Sequence, residues 1–174
     1  MKAKHCLMAL VAGILLLPGC AKQAKFEMPE AVASVIKAQV PGAEIATMEV
    51  EEQGGIKLYD IEFKADRGEI EVAEDGTVID ISTVVQMNDV PGPAAEAIRK
   101  AALGAQATIV RLEKSEVHSE IVTEGSKARI VKLASPKYVY EAELARTGEV
   151  SVAANGEVVE DVKWDDAAGE PEKP

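Results

Sequence analysis

Residues 68–80 read GEIEVAEDGTVID, and residues 148–160 read GEVSVAANGEVVE. Eight positions separate Gly68 from Gly76, and eight separate Gly148 from Gly156. In each stretch apolar residues alternate with polar ones up to a tight turn, Asp75-Gly76 in the first and Asn155-Gly156 in the second. Period-two alternation is the signature of a strand with one buried face. Asp-Gly and Asn-Gly supply the positive φ that a two-residue hairpin turn needs. Each stretch therefore reads as strand, turn, strand.

Working back from the first hairpin, Tyr59, Ile61, Phe63 and Ala65 fall on one face of a strand over 57–65, with Asp60, Glu62 and Lys64 on the other. A strand over 45–50 precedes it, separated by the Gln53-Gly54-Gly55 turn. Before that, Val32, Val35, Ile36 and Val40 recur at helical spacing between Pro29 and Pro41-Gly42. Proline suits the first helical position and Pro-Gly ends a helix. The second hairpin has the same surroundings. Tyr138, Tyr140, Ala142 and Leu144 share a face, and a helix with Ala94, Ala95, Ile98, Ala101 and Ala102 on one side runs from Pro93 to Gly104. The equivalent parity of Tyr59 and Tyr140 predicts that both pack in a core.

Self-similarity of this kind predicts an α+β chain of two tandem repeats, each an N-terminal helix packed on a three- to four-stranded antiparallel sheet. The repeats span 26–86 and 87–164. They differ by an insertion near 111–136, which reads either as a lengthened hairpin or as a loop. Long insertions in compact domains are often functional.

The N-terminus carries a separate signal. Lys2 and Lys4 precede the apolar run CLMALVAGILLL (6–17), and Pro18-Gly19-Cys20 follow. A basic start, a short apolar stretch and a small residue before the cut describe a secretory signal over 1–19. The run is too short for a permanent span, which needs about 20 apolar residues. Leu17-Pro18-Gly19-Cys20 resembles the lipobox of bacterial lipoproteins, with Leu17, Gly19 and Cys20 matching and Pro18 departing from the commonest choices. The resemblance implies cleavage before Cys20, diacylglycerol on its thiol and further acylation of its amine, palmitate being the usual kind of chain. Multiple chains matter, because one gives only marginal membrane binding. Ala21, rather than Asp, follows the cysteine. By the sorting rule of double-membrane bacteria this implies the periplasmic face of the outer membrane. With a single membrane, the outer face of the cell membrane is expected. Residues 20–25 form a lipidated tether, and 165–174 (DDAAGEPEKP) read as a disordered acidic tail.

The net charge of the chain is −11. Loss of Lys2 and Lys4 with the signal makes the exported part more acidic. This excludes nucleic acid as a partner, since a basic patch supplies most of that affinity. It also leaves membrane attachment to the lipid on Cys20. Cys6 leaves with the signal, so no disulfide is available and the fold rests on its core.

Few residues point to chemistry. His118 is the only histidine after the signal, and its strand context suggests a solvent-facing side chain. No nucleophile motif surrounds it. Zinc would need several His or Cys ligands, and the turns at Asp66 and Asp75 lack the spaced oxygen ligands of a calcium loop. Glu69/Glu71 and Glu141/Glu143 imitate a carboxylate pair but read better as solvated surface. No catalytic residue, metal ligand or cofactor is expected, and the chain reads as a non-enzyme. Trp164 reads as a cover for the sheet end or as an exposed anchor.

The helix followed by antiparallel strands, closing in an acidic hairpin at 68–81 and again at 148–162, resembles the PepSY-like family. That family is related in fold to the secreted beta-lactamase inhibitory proteins. The resemblance implies an exported module that binds or inhibits another protein, often a hydrolase, through a sheet surface. With aromatics at 3% and no cysteine pair after the signal, no individual inhibitory residue is carried over and no partner-binding residue is assigned. The expected function is a lipid-anchored, protein-binding or inhibitory module with an envelope protein as partner. The alternative is a structural or assembly accessory of the envelope without one tight partner.

Overall fold

The computed structural model describes residues 27–145 and 148–164, the side chain of Trp164 excepted. The signal over 1–19, the lipid site Cys20, the tether, the acidic tail and the reading of the Trp164 side chain lie outside the described residues. Among the described residues no helix is long and apolar enough to cross a membrane.

Two helices and eight strands make up the architecture. Helix α1 (Glu30–Gln39) precedes strands β1 (Ile45–Gln53), β2 (Ile56–Phe63), β3 (Glu69–Ala73) and β4 (Val78–Val84). A short 3₁₀ turn (Met87–Asp89) leads to α2 (Gly92–Gly104), then to β5 (Ile109–Glu124), β6 (Lys127–Leu144), β7 (Gly148–Ala153) and β8 (Val158–Trp164). Helix α1 begins just after Pro29, and Pro93 sits in the first turn of α2. Both positions suit proline, whose missing N–H has no intrahelical partner there.

The strands form one antiparallel sheet in the order β1-β2-β3-β4-β5-β6-β7-β8. This corrects the expected fold class. The chain is not two tandem helix-plus-sheet repeats, each with its own three- or four-stranded sheet, but a largely β molecule built on a single eight-stranded sheet with two helices. The cause is the pairing of β4 with β5, in register from Asp80↔Val117 to Val84↔Glu113. An unpaired strand leaves a row of N–H and C=O groups that seek partners. Here the last strand of the first half and the first of the second satisfy each other. On this seam the hydroxyls of Ser82 and Ser115 lie 2.6 Å apart and share a hydrogen bond.

Both helices lie on one face. Val32 and Ile36 of α1 pack with Tyr59, Ile61, Phe63, Ile70 and Val72. Ala94, Ala95 and Ile98 of α2 pack with Leu112, Tyr140, Ala142, Val150 and Val152. Tyr59 and Tyr140 are both buried core residues. The hairpin turns touch the helices from below. A Cβ at Gly76 would stand 3.3 Å from the Ala31 side chain, and one at Gly156 would stand 2.9 Å from the Pro93 carbonyl.

Residues 111–136 lie within the long β5–β6 hairpin. Its ladder runs regularly to Val117↔Lys137 and resumes at Ser119↔Lys132, so four residues, Leu133 to Pro136, oppose His118 alone. A bulge of this kind bends the strand pair. Beyond it the hairpin becomes an arm that turns onto the face opposite the helices. Ile121 and Ile130 of the arm pack against Leu58, Ala73 and Ile79. The Ser119 hydroxyl donates to the Val78 carbonyl (2.8 Å), and the Ala128 N–H donates to the carbonyl of Gly54 (2.9 Å) in the β1–β2 turn.

Candidate functional site

Because side chains alternate across a strand, every residue between two helix-facing ones points to the opposite face. On β2 these are Leu58, Asp60 and Glu62. On β3 they are Glu69, Glu71 and Ala73. The bulge between β3 and β4, where Glu71↔Asp80 gives way to Val72↔Val78, leaves Ile79 as the extra residue. The apolar members of this face sit under the arm. Among the described residues the rest of the face is rich in carboxylates and carries no helix.

The ladder sets these carboxylates directly opposite one another. Glu62 faces Glu69 and Asp60 faces Glu71. Glu71 faces Asp80, Glu113 faces Glu141, and Glu143 faces Glu149. Like charges in this position are destabilising.

A hollow of about 350 Å³ lies among Glu62, Glu69, Arg111, Glu113, Glu141, Glu143 and Glu149. Six of the seven are glutamates. Arg111 is already engaged, donating from Nη2 (2.7 Å) and Nε (3.1 Å) to Glu113 Oε1, with Asp66 Oδ1 at 3.6 Å from Nη1. The hydrogen bond to Glu113 holds its guanidinium even more firmly charged than usual. Burial pushes the Glu69 carboxyl up to about 8, with the charges of Asp60, Glu113, Asp80 and Glu141 adding to it. Glu141 is also raised, first by burial and then by Glu149, while the Ser151 hydroxyl (3.2 Å) pulls it back. Glu69 and Glu141 are thus not the solvated surface the sequence suggests. The surface can hold protons and attract cationic groups. Among the described residues its carboxylates do not converge into a group of three or more able to hold a metal ion.

His118 stands at the bend of the arm and is about one-third exposed. Its Nε2 is 3.3 Å from Glu116 Oε1 but is shut off from solvent and has no properly aligned hydrogen bond. The 111–136 insertion is the lengthened hairpin of the two readings the sequence offered, while its fold-back and the acidic floor are the features that sequence reasoning missed. The signal for the floor was present in the polar parity of β2, β3, β6 and β7, but the pairing across β4 and β5 was needed to assemble it.

No family model matches the chain, and no curated protein matches it. Similar solved structures do exist. A proposed periplasmic protein of Bacteroides eggerthii is 10% identical, with 79% of this chain and 89% of that one covered and a TM-score of 0.53. A DUF2874 family protein of Bacteroides ovatus is 11% identical, with 83% and 96% covered and a TM-score of 0.51. These likenesses show a shared fold. A BLIP-like protein of Bacteroides fragilis, 13% identical over 87% of this chain and 94% of that one, superposes more loosely, with a TM-score of 0.47.

Proposed function

We propose that this chain is a lipid-anchored envelope protein of PepSY-like type, tethered through Cys20, that acts as a protein-binding or inhibitory module without catalysis of its own. The observation that carries the reading is the helix-free sheet face, floored by opposed carboxylates and walled at one end by the β5–β6 arm. A face that gathers carboxylates opposite one another across the ladder favours a partner of complementary charge. The partner is an envelope protein, and the family resemblance adds hydrolases as a target class. The leader at 1–19 and the lipobox support export. The periplasmic setting proposed for the Bacteroides eggerthii protein agrees with it. Ala21 supports the periplasmic face of the outer membrane in a double-membrane cell.

The test is crosslinking of the lipidated protein in its own cells, followed by pull-down and mass spectrometry. One envelope protein should be enriched, and it should be lost when the arm is deleted or when Glu69 and Glu141 are replaced by lysine. Recovery of no envelope protein above background would sink the binding reading and favour an assembly accessory. Separately, Cys20→Ser should abolish acylation and membrane fractionation. A variant that still partitions as an acylated membrane protein would overturn the anchor.

A further inference from the structure

The arm covers one end of the open face, and the other end holds a groove of about 600 Å³ with a mixed polar and apolar lining. Val84, Met87 and Val110 line it together with Gln86, Asp66, Arg111 and Glu143. Val110 is there because the β5–β6 ladder slips between Ile109↔Leu144 and Arg111↔Glu143, leaving it as the extra residue of a bulge. Bulges re-aim side chains out of the ladder. Val110 is 58% exposed, an unusual state for a strand valine beside a core. The groove adjoins the acidic hollow and shares Arg111 and Glu143 with it. The charge of Arg111 is taken up by Glu113 and Asp66. The groove therefore sets an exposed valine beside polar and acidic groups, with the glutamates of the hollow beyond.

We infer that this groove is the anchor point for the partner, and that it takes a partner segment in which apolar side chains alternate with lysine or arginine. The inference rests on the protein-binding reading above and supplies the chemistry of the bound segment. Charge complementarity selects the segment. An acidic segment would meet Glu143 and the glutamates of the hollow, and a purely apolar one would bring no cation to Glu143. Apolar side chains would fill the walls beside Val110, and the intervening cations would reach Glu143 and the hollow.

The experiment measures binding of a short synthetic peptide alternating leucine and lysine to the purified full chain, by fluorescence anisotropy. Two controls replace all leucines by serine or all lysines by glutamate. The leucine–lysine peptide should bind, and more weakly as salt rises. Serine substitution should weaken it by about tenfold or more, and the glutamate peptide should not bind. Val110→Lys should weaken binding by a similar factor. Its exposure makes it tolerable to the fold, which an unchanged melting temperature would verify. Glu143→Lys provides a second variant, at the acidic edge of the groove. Equal binding of the leucine–lysine and serine–lysine peptides would mean general attraction to an acidic protein and would overturn the inference. So would the absence of binding, or full binding by both variants. If Val110→Lys still captured the envelope partner in cells, the groove assignment would fail while the binding reading stood. If the parent captured none, the binding reading itself would fail.

Discussion

Gly68 shows how strongly one position can constrain this sheet. Its φ is +84°, and a Cβ there would lie 1.9 Å from the Ser82 carbonyl oxygen. Gly42, at +71°, has open space around it. Both positions penalise an L side chain through backbone strain, about 1 kcal/mol. Only Gly68 adds a collision with backbone. Gly68→Ala should therefore destabilise the protein by about 2 kcal/mol more than Gly42→Ala in urea unfolding, or fail to fold. Equal losses would mean that β3 and β4 can separate without cost. Glu69 makes a second residue-scale prediction. Its folded pKa lies above the unfolded value, so the native state holds a proton that the unfolded chain gives up first. That stabilisation is complete below the ordinary carboxylate pKa of about 4.3 and is lost as pH rises to about 8. Glu69→Gln should leave stability at low pH little changed and raise it at pH above about 8, by on the order of 2 kcal/mol after allowance for solvent screening. Urea midpoints measured across that range would check it, and a parallel offset at all pH values would count against the assignment.

At the scale of elements, the arm is held by few contacts. Ile121 and Ile130 are only partly buried, and the Ser119 and Ala128 hydrogen bonds add to their packing. Ile130→Asp should release it at a cost of about 1–3 kcal/mol. Hydrogen exchange should then accelerate over 119–132 while the helix-side amides of β2 and β7 stay protected. Uniform acceleration would show that the arm belongs to the main cooperative unit. The helices were legible in the sequence because Pro29, Pro41-Gly42 and Pro93 punctuate a clear 3.6-residue period. The hairpins at Asp75-Gly76 and Asn155-Gly156 were legible because their turn chemistry is local. The arm was harder to read. Its fold-back depends on a mismatch between Val117–Ser119 and Lys132–Lys137, which arises only once the two strands are aligned, and on Leu58, Ala73 and Ile79 far away in the chain.

For the whole molecule, the decisive feature is the β4–β5 seam. No local property of Val84 or Glu113 announces their pairing. Separate and continuous sheets bury the same helix-facing residues, so alternation cannot distinguish them. The same blindness hid the acidic floor, since Glu69 and Glu113 come together only through the strands between them. The seam joins the two helix-side cores without a shared cluster of side chains, so backbone hydrogen bonds should carry their coupling. Ser115→Pro removes a donor from a central strand and should cost roughly 3 kcal/mol. Parent protein should unfold in one transition by circular dichroism, and the variant in two. One transition in both would place the coupling elsewhere.

The clasp of Ala128 on Gly54 also sets an order of events. It ties the first turn of the sheet to a hairpin that lies three strands and one α-helix further along the chain. Contacts between distant residues must overcome loop closure before they return any stabilisation, so they form slowly. The first four strands can gather around α1 before the arm reaches them. On refolding, Leu58, Ala73 and Ile79 would thus remain bare until a late step. In that interval the nascent protein exposes a sticky surface that the finished one conceals, and its vulnerability to misassociation is concentrated there.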